Sequence, residues 1–109
     1  MAGLDLAAAL ARVDGDKELL KEIAEIFLEE YPGTVSEIRN AIAAKDPEAL
    51  QRAAHSLKGS IGNFGSGGAY EAALRLEQMG RQGELDQSEQ ALKELENTLE
   101  ILTSQLVKL

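Results

Sequence analysis

The chain is 109 residues long, the size of one domain, 1–109, with no room for a second. It has no Cys and one His, which excludes a disulfide framework, a thiol nucleophile, a zinc–cysteine site and a multi-histidine metal centre. Its formal charge is -8, from 11 Lys and Arg against 19 Asp and Glu, which argues against nucleic acid or an anionic membrane surface as the main partner.

Ala, Leu, Glu, Lys and Gln dominate, and no stretch alternates as a strand does. A short Ala/Leu-rich helix is expected over Leu4 to Arg12, with Asp5 near its start and Asp14-Gly15 breaking it. Asp16 then caps a helix to about Tyr31, whose apolar stripe is Leu19, Leu20, Ile23, Ile26 and Phe27. Pro32 sets a boundary, and a further helix runs from about Gly33 to Ala44 with Val35, Ile38, Ala41 and Ile42 inward. Asp46-Pro47 is a restart, a capping carboxylate followed by Pro at the first helical position. The helix it opens turns Leu50, Ala53, Ala54, Leu57, Ile61 and Phe64 inward.

Gly65 to Gly68 reads as a turn in which Ser66 can cap the next helix. That helix buries Ala69, Ala72, Ala73, Leu76 and Met79, and Gly80 and Gly83 mark its end. Asp86, followed three residues later by Glu89, is a capping-box-like start for the last helix. Leu92, Leu95, Leu99, Leu102 and Leu106 then form the seam of a long helix in a bundle. The connections are short, so sequential helices are expected to be antiparallel neighbours. The expected fold is all-α: an antiparallel up-and-down four-helix bundle with an additional short N-terminal helix. No apolar run approaches the roughly 20 residues of a membrane span. No signal-peptide pattern follows Met1, so the expected location is the cytoplasm.

One helix carries a feature that packing does not explain. With Leu50, Ala53, Ala54, Leu57, Ile61 and Phe64 defining its core side, His55 points roughly 150° away, into water. Its neighbours on that face are Glu48, Gln51, Arg52, Lys58, Gly59 and Gly62. Each glycine inside a helix costs about 1 kcal/mol relative to Ala, so Gly59 and Gly62 leave room for something to approach His55. Arg52 and Lys58 make a small positive patch around the imidazole. Taken singly, these residues read as an incidental surface His, a solvated Lys, and glycines at a frayed end or a helix crossing. It is their conjunction that points to a site.

The stretch Ala54-His55-Ser56-Leu57-Lys58-Gly59-Ser60 resembles the phosphorylation motif of histidine-containing phosphotransfer (HPt) domains. Asn63-Phe64-Gly65 falls where that family has an Asn-Leu-Gly turn, and Leu76-Glu77 where it has Leu-Glu or Leu-Gln. The segment from Leu4-Asp5 through Phe27-Leu28-Glu29 to Ala53 also looks like the family. Ser66-Gly67-Gly68-Ala69 departs from it, because members often carry Ala after the glycine and a bulky apolar residue three positions on.

The resemblance implies a phosphorelay intermediate, which takes a phosphoryl group from a receiver domain's aspartate and passes it to another receiver. By that resemblance His55 is the phosphoacceptor through Nε2, Lys58 neutralises phosphoryl charge, and Gly59 keeps the approach open. Glu77 accepts a hydrogen bond from Nδ1–H, and Arg81 falls where some members carry a basic residue. Gln51, Arg52 and Gly62 complete the site surround. A neutral imidazole has one N–H and one lone pair, so an acceptor on Nδ1–H leaves Nε2 free to attack.

No metal site is expected, and no nucleotide-binding loop of the P-loop kind occurs. Mg²⁺ is expected from the partner receiver, so the protein supplies a positioned nucleophile rather than acting as an enzyme in isolation. The implied partners are response-regulator receivers, a sensor histidine kinase or both, with no nucleic acid and no membrane, and the chain is expected to be a monomer. It is read either as free-standing or as the excised or C-terminal domain of a hybrid sensor kinase. The nearest alternative is the His-bearing domain of a chemotaxis-type kinase, distinguished by its donor. A structural or adaptor bundle with an incidental His55 is the alternative from another class. A di-metal bundle enzyme is remote, because that site needs Glu-x-x-His pairs on two helices.

Overall fold

Carboxylates open the first helices as the sequence requires. Asp5, Asp16 and Asp46 each accept a hydrogen bond from the backbone N–H three residues on, at Ala8, Leu19 and Ala49, all at 3.1 Å. The computed structural model describes residues 4–65 and 67–109. It contains α1 (Leu6–Arg12), α2 (Lys17–Ala43), α3 (Pro47–Ile61), a 3₁₀ turn (Gly62–Phe64), α4 (Gly68–Gln82) and α5 (Ser88–Leu106). No strand occurs among the described residues. No helix is long and apolar enough to cross a membrane.

Helices α2, α3, α4 and α5 pack as a closed ring, each against its chain neighbour and α5 back against α2. Contacts between Gln51 and Gly80, His55 and Glu77, and Gly62 and Tyr70 run in opposite chain directions along α3 and α4, as an antiparallel pair must. Their inner faces supply the core: Leu50, Ala54, Leu57 and Ile61 from α3, Ala69, Ala73 and Leu76 from α4, and the full predicted leucine seam of α5. Helix α1 is the additional N-terminal element. It closes one end of the bundle, where the Asp5 N–H donates to the Phe64 carbonyl at 2.9 Å and the Leu4 N–H reaches the Gln105 side chain. Phe64 sits there edge-on to Phe27, with ring centroids 5.4 Å apart. The turn at Gly65 (φ 137°) brings the chain so close to Asp5 that a side chain would meet its Cβ at 3.0 Å.

Several expectations are corrected. Pro32 does not end a helix: α2 runs through it as one 27-residue helix. A proline inside a helix costs about 3 kcal/mol. The buried stripe Leu20, Ala24, Phe27, Val35, Ile38 and Ala41 keeps its register across Pro32. Each large apolar side chain it buries is worth roughly 1.5–3 kcal/mol, so continuity outweighs the proline. That register also rotates Leu19 and Ile26 outward, to 41% and 54% exposure, and puts Ala24 in their place.

The Asp86–Glu89 cap does not form either. Helix α5 starts at Ser88 after Gln87, with no side-chain cap, and the buried Ser88 hydroxyl donates to the Leu85 carbonyl at 2.6 Å. Gly83 ends α4 in the left-handed conformation, but Gly80 lies inside that helix and is buried. Met79 is only partly buried. The capping role given to Ser66 lies outside the described residues.

Pro32 is exposed and contributes no hydrogen bond to a helix that runs on past it. Pro32→Ala is therefore expected to stabilise the fold by about 1–3 kcal/mol. At about 4–8 °C per kcal/mol, a thermal melt resolves this easily, and an unchanged or lower Tm would contradict it.

Candidate functional site

His55 sits mid-way along α3 with its side chain 68% exposed, as the helical wheel predicts. Its Nδ1 lies 2.9 Å from Glu77 Oε2, on the neighbouring helix α4. Glu77 itself is only 3% exposed. Two further cations reach the same carboxylate: the Lys58 ammonium is 2.7 Å from Oε1, and the Arg81 guanidinium donates to Oε2 at 3.1 Å from the next turn of α4. One buried carboxylate thus gathers three of the four basic side chains that the sequence singled out on two helices, all but Arg52.

The electrostatics decide its protonation state. Burial pushes the Glu77 carboxyl up, but the Lys58 ammonium and the His55 imidazole outweigh it and hold the group below its ordinary value of 4.5. An ionised carboxylate only accepts hydrogen bonds, so the proton of neutral His55 is on Nδ1. The lone pair is then on Nε2, on a ring open to water. Within one hydrogen bond, an otherwise unspecified surface imidazole acquires a fixed tautomer and a fixed orientation.

A family model described as Hpt domain matches residues 22–105. The chain belongs to the Hpt domain family. That is a family of histidine phosphotransfer in phosphorelays. This Hpt domain is similar in fold to histidine-containing phosphotransfer protein B of Pseudomonas aeruginosa PAO1. The two superpose with a TM-score of 0.88 at 22% identity, over 96% of this chain and 91% of that one. Among curated proteins, none matches the sequence significantly.

The remaining predicted residues distribute around the Hpt histidine. A Cβ on Gly59 would meet nothing within 4 Å, so the space beside the ring is open. Gly62 has a tighter surround: the Tyr70 ring of α4 would lie 3.6 Å from a Cβ there. Arg52 is exposed and flanks His55 on the side away from α4. It borders a groove of about 480 Å³ between α2 and α3, with Glu37, Asn40, Asp46 and Ser56. Gln51 is half-buried, and its backbone faces Gly80. From Ala49 to Tyr70 the chain carries no acidic residue, so the segment around His55 is a cationic island in a strongly acidic protein. No cluster of metal-ligating side chains occurs among the described residues.

The sequence reading placed Lys58 on the solvent face. The structure turns it inward to 18% exposure, because the wheel of one helix does not show a carboxylate supplied by another. Gly80 was read as a helix end, and its contact with α3 was not foreseen.

Glu77 yields a pH prediction. Its folded pKa is depressed, so its stabilising contribution is complete above about 4.5 and is lost as the pH falls through the lower folded value. Wild type should therefore be more stable than Glu77→Gln at neutral pH, and the gap in denaturation midpoint should close below pH 4.5. A gap that is constant down to strongly acidic pH would show that the carboxylate's charge is not what the fold uses.

Proposed function

We propose that His55 accepts a phosphoryl group from the aspartyl phosphate of a response-regulator receiver and passes it to another receiver. The observation that carries this reading is the hydrogen bond from Nδ1 of an exposed ring to a buried, ionised Glu77. The Nε2 lone pair attacks phosphorus, the phosphorus–oxygen bond to the donor aspartate breaks, and the aspartate leaves as a carboxylate. Positive charge developing on the ring is met by Glu77 through Nδ1–H, which stays in place throughout. The reverse sequence, with a second receiver's aspartate as the attacking group, returns the histidine to its starting state.

Phosphoryl transfer through a loose transition state needs alignment and charge neutralisation above all. This chain supplies the aligned nucleophile. In the proposed complex Lys58 and Arg52, on either side of His55, offset phosphoryl charge, while Mg²⁺ comes with the receiver. Gly59 leaves the approach clear for the receiver's active-site rim, with Gln51, Gly62 and Arg81 bordering it. The domain is taken to work as a monomer in the cytoplasm, free-standing or as part of a hybrid kinase.

The test is transfer from a phosphorylated receiver with Mg²⁺ to wild type and to His55→Gln. Acid-labile, base-stable phosphate is expected on wild type alone, with the variant's melting temperature nearly unchanged, because an exposed side chain is rarely worth more than about 0.5 kcal/mol. Phosphorylation only by ATP and a chemotaxis-type kinase core would assign the donor to that class instead, and no phosphate from either source would favour an adaptor bundle.

Gly59 supplies a second check. Gly59→Leu is expected to fold, since its Cβ enters open space, and to slow transfer by about ten-fold or more through misalignment. Wild-type rates in that variant would remove the steric role of the glycine.

A further inference from the structure

The carboxylate on which His55 depends belongs to another helix, so the separation of α3 and α4 sets the length of their hydrogen bond. At one point the two backbones touch. A Cβ built on Gly80 would lie 2.6 Å from the Gln51 nitrogen, 2.7 Å from the Pro47 carbonyl oxygen and 2.9 Å from the Gln51 Cα. All three are backbone atoms, so no rotamer change relieves the clash. Gly80 is one helical turn from Glu77, and Gln51 is one turn from His55, so the contact lies about 5 Å along the helices from the hydrogen bond.

We propose that Gly80 is a positioning residue for phosphotransfer: its missing side chain lets α3 and α4 approach closely enough for Glu77 to hold the His55 ring. This rests on the phosphotransfer reading of the site. Gly80 touches neither His55 nor the incoming group and acts only through Glu77.

The argument is one of distance. Ordinary contact begins near 3.4 Å, so any side chain at Gly80 requires the helices to part by several tenths of an ångström. The His55–Glu77 bond has a length of 2.9 Å. An N–H···O bond weakens beyond about 3.2 Å, so a separation of that size uses up its tolerance. Gly83, three residues later, provides the contrast. Its φ of 71° makes a side chain strained there, yet a Cβ would meet nothing within 4 Å. Substitution at Gly83 thus disturbs the end of α4 without separating the helices.

The experiment compares wild type, Gly80→Ala and Gly83→Ala by ¹⁵N NMR of the neutral His55 ring, and then by transfer from a phosphorylated receiver. Wild type is expected to show a protonated Nδ1 and a bare Nε2. In Gly80→Ala the two ring-nitrogen shifts should converge as the tautomers mix, and transfer should slow about ten-fold. Gly83→Ala should lose stability but keep the wild-type ring shifts. If Gly80→Ala is marginally folded, the spectra are taken with an excluded osmolyte, which favours the compact state. Wild-type ring shifts in folded Gly80→Ala would overturn the assignment. So would a variant that stays unfolded in osmolyte, because Gly80 would then serve the core. Ring shifts that converge in a protein whose wild type takes no phosphate from any donor would sink the phosphotransfer reading while leaving the positioning of the ring by Gly80 in place.

Discussion

The site is organised by the Glu77 carboxylate. A buried charge costs several kcal/mol in lost hydration even after relaxation, and it persists only where partners replace the water. Here His55, Lys58 and Arg81 replace it, from two helices and three different turns. The charge in turn fixes everything that matters about His55: which nitrogen carries the proton, which carries the lone pair, and where the ring points. An exposed histidine on a helix would otherwise sample several rotamers and both tautomers. A single buried carboxylate therefore does for this imidazole what burial of the imidazole itself would do, while leaving the reactive nitrogen in solvent.

Burying that carboxylate places a demand on the bundle. Glu77 must come close to α3 from α4, and one turn away, at Gly80, the backbones of the two helices touch. Small side chains let helix axes approach. Leu50, Leu57 and Leu76 of the same two helices, with the α5 seam and the two phenylalanines at the α1 end, fill the core volume. The long α2 spans both regions. At 27 residues it extends about 40 Å, nearly the full 41 Å of the molecule. Its N-terminal half carries Phe27 and holds the α1 end, while its C-terminal half lines the groove beside Arg52. The proline within it is tolerated because it sits on the exposed side of a stripe that both halves share.

Much of this was legible in the sequence, for reasons that separate the hits from the misses. Asp16, Asp46-Pro47 and the α5 leucines act locally or along one helix, and each was read correctly. The exposure of His55 followed from the wheel of α3 alone. Pro32 was misread because local backbone preference was weighed without the burial on both sides of it. Leu19 and Ile26 were misread in consequence, since a helix thought to end at Tyr31 has no stripe beyond it to fix the rotation. Lys58 was expected in solvent because its partner, Glu77, lies on another helix. Gly80 was taken as a stop signal, although what it does is visible only once Pro47 and Gln51 are in place opposite it.

The charge distribution fits a group that must be received and then released. The protein is acidic as a whole, yet the segment around His55 has no carboxylate of its own, and the one it borrows is buried and offset by cations. In the phosphotransfer reading an arriving phosphoryl group meets no acidic side chain from Ala49 to Tyr70, and Glu48 lies two turns back along α3. Neither does it meet a ring of free cations, because Lys58 and Arg81 already share Glu77. In the phosphotransfer reading this balance has a purpose. A carrier gains nothing from binding its cargo tightly, since any stabilisation of phosphohistidine beyond that of the transition state must be undone in the next step. Cations committed to a buried carboxylate lower the barrier to approach without making a deep well for the product, and the open face at Gly59 leaves the remaining stabilisation to whichever receiver is docked there.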